Sequence, residues 1–134
     1  MEWQNGEYTI TDDRSLADLN FIHTSLNTTY WAENRPREVV EKSIDNSVLL
    51  SLFHKDKQIG FTRIVSDFST FAWICDVYIH PDHRGKSLGV WLMACTMEHP
   101  AMDVSLQLLA TRDAHGLYEK FGFQVREMMF RRKP

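Results

Sequence analysis

The chain has 134 residues, of which 43% are hydrophobic and 25% charged, and its formal net charge is −3. This length predicts a single domain over residues 1–134. The negative charge argues against a general nucleic-acid binder, and no stretch has the ~18 apolar residues of a membrane span. Two cysteines, Cys75 and Cys95, are too few for a disulfide framework. We therefore expect a cytoplasmic protein with free, buried thiols.

Hydrophobic periodicity and turn residues predict a mixed α/β fold around one sheet. The expected elements, in chain order, are a strand at 7–11, a helix at 14–26, a helix starting at Pro36, strands at 47–54, 58–66 and 70–80, a helix at 87–99, a strand at 104–110, a helix at 114–121 and a strand at 123–130. The helix at 87–99 is apolar nearly all round, so we expect it to be buried. Because it joins two strands, those strands should run parallel.

The segment from Asp76 to Met93 is the most informative part of the chain. An apolar strand leads through a polar turn into a basic, glycine-containing loop, and a helix starts inside that loop. Free N–H groups of the loop and of the first helical turn would point at one spot, where the helix dipole adds positive charge. Arg84 and Lys86 add full charges. The pattern predicts a site for the diphosphate of a cofactor.

Two rival motifs overlap this segment. The tripeptide Gly85, Lys86, Ser87 looks like the end of a nucleotide-binding P-loop, but His80 stands where that motif requires glycine. His80 and His83 form an H-x-x-H pair, with Pro81 between them and no cysteine ligand nearby. We therefore expect neither a nucleotide hydrolase nor a metal site.

The loop resembles the cofactor loop of the GNAT superfamily, the Gcn5-related N-acetyltransferases. That loop reads Arg or Gln, two residues, Gly, one residue, then Gly or Ala, and here the window runs from Arg84 to Gly89. Arg84 and Gly89 match, whereas Ser87 replaces the first glycine of the pattern. Serine keeps the N–H group but carries a Cβ, which predicts an ordinary φ at this position.

A second match to the same family lies near the C-terminus. The family often shows Asn-x-x-Ala-x-x-Leu-Tyr-Glu-Lys-x-Gly-Phe, and residues 111–123 read TRDAHGLYEKFGF, with Thr111 where Asn is common. The matching residues are Ala114, Leu117, Tyr118, Glu119, Lys120, Gly122 and Phe123. The resemblance covers nearly the whole chain and implies a mostly antiparallel central sheet with helices on both faces.

The resemblance also implies acetyl-CoA as the co-substrate and no metal. The pyrophosphate would lie on the N–H groups of the loop, and the pantetheine arm would run along the preceding strand. That strand would splay from the strand near 106 and leave a V-shaped gap, which a β-bulge near 76–78 helps to open. The implied cofactor-binding residues are Val77, Tyr78, Ile79, Arg84, Gly85, Lys86, Ser87, Leu88 and Gly89.

The implied reaction is direct attack by a primary amine, of a small molecule or a peptide, on acetyl-CoA in a ternary complex. Tyr118 stands where the family has its general acid, which protonates the departing thiolate. Asp76 is the first candidate for the base that takes the amine proton, and strand alternation places it on one face with Ile74. His80 and His83 are alternative bases, and a structural hydrogen bond is an equally good role for Asp76.

The acceptor pocket is predicted from position in the chain alone. Its candidate residues are His23, Tyr30, Trp31, Glu33, Arg63 and Trp73. Glu33 would suit a cationic amine and Arg63 an acidic one, and the sequence does not decide between them.

Two further questions stay open at this point. A non-catalytic acyl-CoA-binding sensor or interaction module is the alternative function, although the intact Tyr118 favours an enzyme. Both a monomer and a homodimer are compatible with the sequence. The basic residues Arg131, Arg132 and Lys133 are expected to form a solvated tail.

Overall fold

The computed structural model describes residues 1–134 and contains six strands and four α-helices. The strands are β1 (Glu2–Asn5), β2 (Tyr8–Thr11), β3 (Val48–His54), β4 (Lys57–Ser66), β5 (Phe71–Ile79) and β6 (Leu106–Leu109). The helices are α1 (Leu19–Leu26), α2 (Arg37–Asp45), α3 (Leu88–Glu98) and α4 (His115–Glu119). The longest helix has 11 residues, and none combines the length and apolarity needed to cross a membrane.

The strands form one sheet in the order β1-β2-β3-β4-β5-β6. All neighbouring pairs are antiparallel except β5 and β6, which are parallel and joined through α3. One apolar cluster lies on the α3 face and includes Leu50, Leu92 and Met93, while the other lies on the α1 and α2 face and includes Ile22 and Phe61. The predicted fold class is therefore confirmed.

The N-terminal region differs from the prediction in two ways. β1 was not predicted, and it pairs with β2 at the edge of the sheet. The single helix expected at 14–26 is divided into a 3₁₀ turn at Arg14–Leu16 and α1. The reason is local, because Asp13 caps the first piece and Asp18 caps the second, with an extended Ala17 between them.

The strand expected at 123–130 is absent, and residues after Gly122 adopt no regular secondary structure. Its apolar residues gave the prediction, but a strand forms only where its backbone pairs with a neighbour. This segment instead leaves a cavity of about 230 Å³ between itself and β6. Its apolar side chains remain exposed, including Val125, Met129 and Phe130.

A β-bulge at Cys75 changes which face β5 presents. Arg63 pairs with Asp76 and Ile64 pairs with Ile74, so Cys75 is an extra residue without an opposite partner in β4. Ile74 therefore packs in the α3 cluster, while Asp76 lies on the α1 and α2 face with Tyr78. The expectation that Ile74 and Asp76 share a face is wrong, because simple alternation does not anticipate the inserted residue.

We expect Gly60→Ala to destabilise the fold by about 1–3 kcal/mol through overpacking. A Cβ at Gly60 in β4 would lie 2.7 Å from the Tyr78 carbonyl oxygen and 3.2 Å from a Leu52 methyl carbon. Urea unfolding measures the effect. Gly116→Ala in α4 is the matched control, since a Cβ there meets nothing within 4 Å, and it should be neutral or stabilising by up to ~1 kcal/mol. Equal stability of the two variants would contradict this packing.

Candidate active site

The loop before α3 presents a row of unsatisfied backbone donors. The N–H groups from Gly85 to Val90 have no acceptor in the protein, and the first backbone bond of the helix runs from the Trp91 N–H to the Ser87 carbonyl. These donors lie at the positive end of the α3 dipole. The arrangement can bind an anion with several oxygens, such as a diphosphate.

Ser87 adopts a left-handed backbone with φ of +59°. The prediction of an ordinary φ is therefore wrong. The loop geometry requires positive φ at this position, as it does at Gly85 with φ of +79°, and the serine accepts the strain. The Ser87 hydroxyl makes no hydrogen bond in the protein and faces the groove described below.

Gly89 leaves space above the donors. An ideal Cβ at this position would meet no heavy atom within 4 Å, so packing within the protein does not demand a glycine here. Gly89 nevertheless lines the groove, and a side chain would fill the volume that faces the free N–H groups. The residues present therefore fit a bound diphosphate.

The charged residues of the loop have different roles. The Arg84 Nε donates to the Ile79 carbonyl at 2.8 Å, and its guanidinium carbon lies 5.6 Å from the Tyr78 ring centroid. These contacts hold Arg84 against the groove that it lines, whereas Lys86 is exposed and lies outside the lining. His83 also lines the groove. Its pKa is lowered by desolvation and then by Lys86, so the imidazole is neutral at neutral pH.

A groove of about 1240 Å³ runs from this loop into a gap between β5 and β6. Parallel pairing ends at Ile74 and Leu109, while β5 continues to Ile79 without β6 beside it. Val77, Tyr78 and Ile79 line the groove along this unpaired part of β5. The parallel pairing and the gap agree with the sequence-based expectation, and the bulge lies at Cys75, one residue before the expected span.

Tyr118 lies on α4 and lines the same groove. Burial raises the pKa of the Tyr118 hydroxyl, and Tyr30 and Asp113 raise it further. The hydroxyl therefore keeps its proton throughout the physiological range. A protonated phenol in a groove beside an anion site can serve as a proton donor.

Asp76 is buried, with 2% of its surface exposed, and does not line the groove. It accepts hydrogen bonds from the Trp31 Nε1 at 3.0 Å, the Arg35 Nη1 at 3.2 Å and the Arg63 Nε at 2.9 Å. Both carboxylate oxygens are thus engaged by charged or indole donors. This geometry favours the structural role for Asp76 and ties the segment before α2 to the sheet.

The structure separates the predicted acceptor residues into two groups. Tyr30, Trp31 and Trp73 line the groove. The other three do not: His23 contacts the Arg35 carbonyl, Glu33 is exposed elsewhere, and Arg63 is held by Asp76 and Ser47. Neither of the two charged residues that could have set acceptor preference is therefore available in the groove.

Sequence reasoning missed several residues that line the groove, and five of them carry a thiol, a charge or an aromatic ring: Cys75, Arg112, Asp113, Phe130 and Arg132. Cys75 is only half-buried, unlike Cys95, and burial raises the pKa of its thiol. Arg132 was expected in a solvated tail, and it is exposed but also borders the groove. No local pattern marks these residues, because distant parts of the chain bring them together.

Residues 45–125 match the family model of the acetyltransferase (GNAT) domain. The chain belongs to the GNAT superfamily. It is 34% identical, over 81% of its length, to an uncharacterized N-acetyltransferase, ycf52, of Gracilaria tenuistipitata var. liui. A ycf52 protein of Pyropia yezoensis is 35% identical over 69% of the chain. This GNAT chain spans less than two thirds of those curated relatives, namely 63% and 57% of their lengths.

Solved structures of acetyltransferases share the fold over most of the chain. A crystal structure from Xanthomonas campestris pv. campestris, described as belonging to the GNAT family, has a TM-score of 0.90 and 37% identity, covering 95% of this chain and 94% of that one. The ribosomal-protein-S18-alanine N-acetyltransferase of Escherichia coli has a TM-score of 0.74 at 18% identity, over 90% of this chain and 79% of that one. The latter likeness shows the fold alone.

We expect Ser87→Gly to stabilise this GNAT domain by up to about 1 kcal/mol, since glycine adopts positive φ without the Cβ strain. Ser87→Ala keeps the strain and removes only the hydroxyl, so it should stay close to wild type in stability. Thermal or urea unfolding of the two variants makes the comparison. A less stable Ser87→Gly protein would mean that the left-handed backbone carries no strain.

Proposed function

We propose that this protein is an N-acetyltransferase that moves an acetyl group from acetyl-CoA to a primary amine. The observation that carries the proposal is a single groove that joins unsatisfied loop donors to a protonated tyrosine. The loop that carries the unsatisfied N–H groups lines one part of it through Gly85, Ser87 and Gly89, and Tyr118 lines it as well. Family membership agrees with this reading.

The loop residues would hold the diphosphate of the co-substrate. Backbone N–H groups of Gly85 to Gly89 donate to its oxygens, and the Ser87 hydroxyl is free to add one more donor. Val77 to Ile79 offer a backbone edge that β6 does not use, which suits an extended pantetheine arm bound in the manner of an added strand. The thioester would then lie between β5 and Tyr118.

Tyr118 would protonate the leaving thiolate. The amine nitrogen attacks the thioester carbonyl carbon and forms the C–N bond while the C–S bond breaks, and the sulfur keeps the electron pair. Tyr118 gives its phenolic proton to that sulfur. The amine nitrogen loses one proton to water in the groove, and water returns one proton to the tyrosine oxygen, so the protons balance. Holding both reactants together supplies much of the acceleration.

We propose a positioning role for Asp76 in place of base catalysis. Its oxygens already accept from Trp31, Arg35 and Arg63, and removal of a proton from an amine would require a free lone pair that faces the groove. Trp31 does line the groove. Asp76 therefore holds one wall of the acceptor pocket in place through the indole N–H.

Acetyl-CoA should bind the wild-type protein and should not bind Gly89→Glu. The new carboxylate would occupy the open volume above the loop donors and repel the diphosphate, while no protein atom opposes its Cβ. Isothermal calorimetry measures binding, and circular dichroism confirms that the variant folds. Gly116→Ala is the control and should bind normally. Failure of the wild-type protein to bind acetyl-CoA would refute the proposal.

Tyr118→Phe should lower kcat by ~10- to 100-fold. This range ends at the low limit of the ~100- to 10,000-fold that one acid–base group usually contributes. The affinity for acetyl-CoA should stay nearly unchanged. Thiol release with a good acceptor measures the rate, and calorimetry measures the affinity. Full turnover in the variant would show that the phenol is not the acid.

The pH dependence gives an independent check on Tyr118. Burial raises the pKa of this hydroxyl above its ordinary value, which is near ~10. The acid form therefore persists as the pH rises, and kcat at saturating acceptor should not fall between pH 8 and 9.5. A wild-type decline in that window that disappears in Tyr118→Phe would contradict the raised pKa.

A further inference from the structure

Two arginines of the groove stack on aromatic rings. The Arg112 guanidinium carbon lies 3.7 Å from the Tyr30 ring centroid, and that of Arg132 lies 5.7 Å from the Phe130 ring centroid. All four residues line the groove. Stacking fixes the plane of a guanidinium while its N–H edge stays open to a further partner.

Neither guanidinium has a partner in the protein. Arg112 contributes only its backbone N–H, which donates to the Tyr30 hydroxyl at 3.2 Å. Neither side chain takes part in a hydrogen bond or an ion pair, whereas Arg35 and Arg63 both pair with Asp76. A planar guanidinium with a free edge matches the two oxygens of a carboxylate or a phosphate.

The charge of the groove supports an anionic partner. Its charged lining residues are Arg84, Arg112, Asp113 and Arg132, so Asp113 is the one carboxylate among them. Arg84 belongs to the loop before α3, which leaves Arg112, Arg132 and Asp113 elsewhere along the groove, where Arg112 stacks on Tyr30. Asp113 makes no ion pair with either arginine and instead affects Tyr118.

We propose that the acceptor amine carries an anionic group, a carboxylate or a phosphate, that Arg112 and Arg132 bind. This inference rests on the proposed acetyltransferase function and narrows its substrate class. The aromatic side chains of Tyr30, Trp31 and Trp73 would cover the apolar part of such an acceptor. Glu33 and Arg63 were the sequence-based candidates for setting the charge of the acceptor. Arg112 and Arg132 take their place in this proposal.

Matched amines test the inference. Phenylalanine is compared with phenylalanine amide for a carboxylate, and phosphoethanolamine with ethanolamine for a phosphate, by thiol release from acetyl-CoA. The anionic member of at least one pair should have a kcat/KM ~10-fold or more above its neutral partner. The pair that shows the preference identifies the anion. A preference for the neutral members would overturn the inference, and their turnover would still support the proposed function.

Variants separate recognition of the acceptor from binding of the cofactor. Arg112→Gln and Arg132→Gln should remove most of the preference by raising KM for the anionic acceptor, with acetyl-CoA affinity unchanged. Arg131→Gln removes the same charge outside the groove and should match wild type. Weaker acetyl-CoA binding with an unchanged acceptor preference would assign the arginines to the cofactor and overturn the inference.

The remaining outcomes are also decisive. If no amine of the panel is acetylated, calorimetry of the anionic amines is run on protein saturated with CoA. Binding that Arg112→Gln weakens supports the inference, and absence of binding overturns it. If acetyl-CoA itself does not bind, the proposed function fails, and this failure is seen before any acceptor is added.

Discussion

β5 and β6 share backbone hydrogen bonds only up to Ile74 and Leu109, and the groove begins where that pairing ends. Beyond this point β5 keeps β4 on one side and has nothing of the sheet on the other. Its free edge can accept an extended ligand, and the space beside it is bounded by α4 with Tyr118. The loop donors before α3 face the same space because α3 is the connection between these two strands.

The bulge at Cys75 decides what each face of β5 carries. It places the Ile74 side chain in the core on the α3 face and the Asp76 side chain on the opposite face, toward α1 and α2. A buried carboxylate is costly unless it is paired, and here Arg35 and Arg63 pair with it. The resulting cluster also anchors Trp31. One inserted residue thus connects the backbone of the strand proposed to bind the cofactor with side chains proposed to line the acceptor pocket.

The sequence predicted those parts of the site that consecutive residues build. The loop from Arg84 to Gly89 forms its donors from its own backbone, so a local motif was enough to find it. A mixed α/β fold around one sheet also followed from periodicity, since the order of strands and helices determines which strands can pair, and the family resemblance added the mostly antiparallel arrangement. Tyr118, which lines the groove, was singled out because it lies within a second local motif.

Features that depend on distant contacts escaped prediction. The left-handed backbone of Ser87 is imposed by the geometry around it, against the preference of the residue. Alternation gave Asp76 the wrong neighbour because it was applied without the bulge that the family resemblance implies near 76–78. The apolar residues of 123–130 likewise predicted a strand, although a strand needs a paired neighbour as well as a pattern. Arg112 meets Tyr30, and Arg132 reaches the groove, only after the chain has folded.

The short pairing of β6 has a consequence for the dynamics of this region. β6 has 4 residues, pairs with β5 alone, and includes the half-exposed Leu106. Strands with few hydrogen bonds and little buried area open locally at a small fraction of the global free energy. Amide hydrogens of β6 should therefore exchange with solvent sooner than those of β3 and β4. A ligand that bridges the gap would slow this exchange, so one wall of the groove would gain order from the molecule bound there.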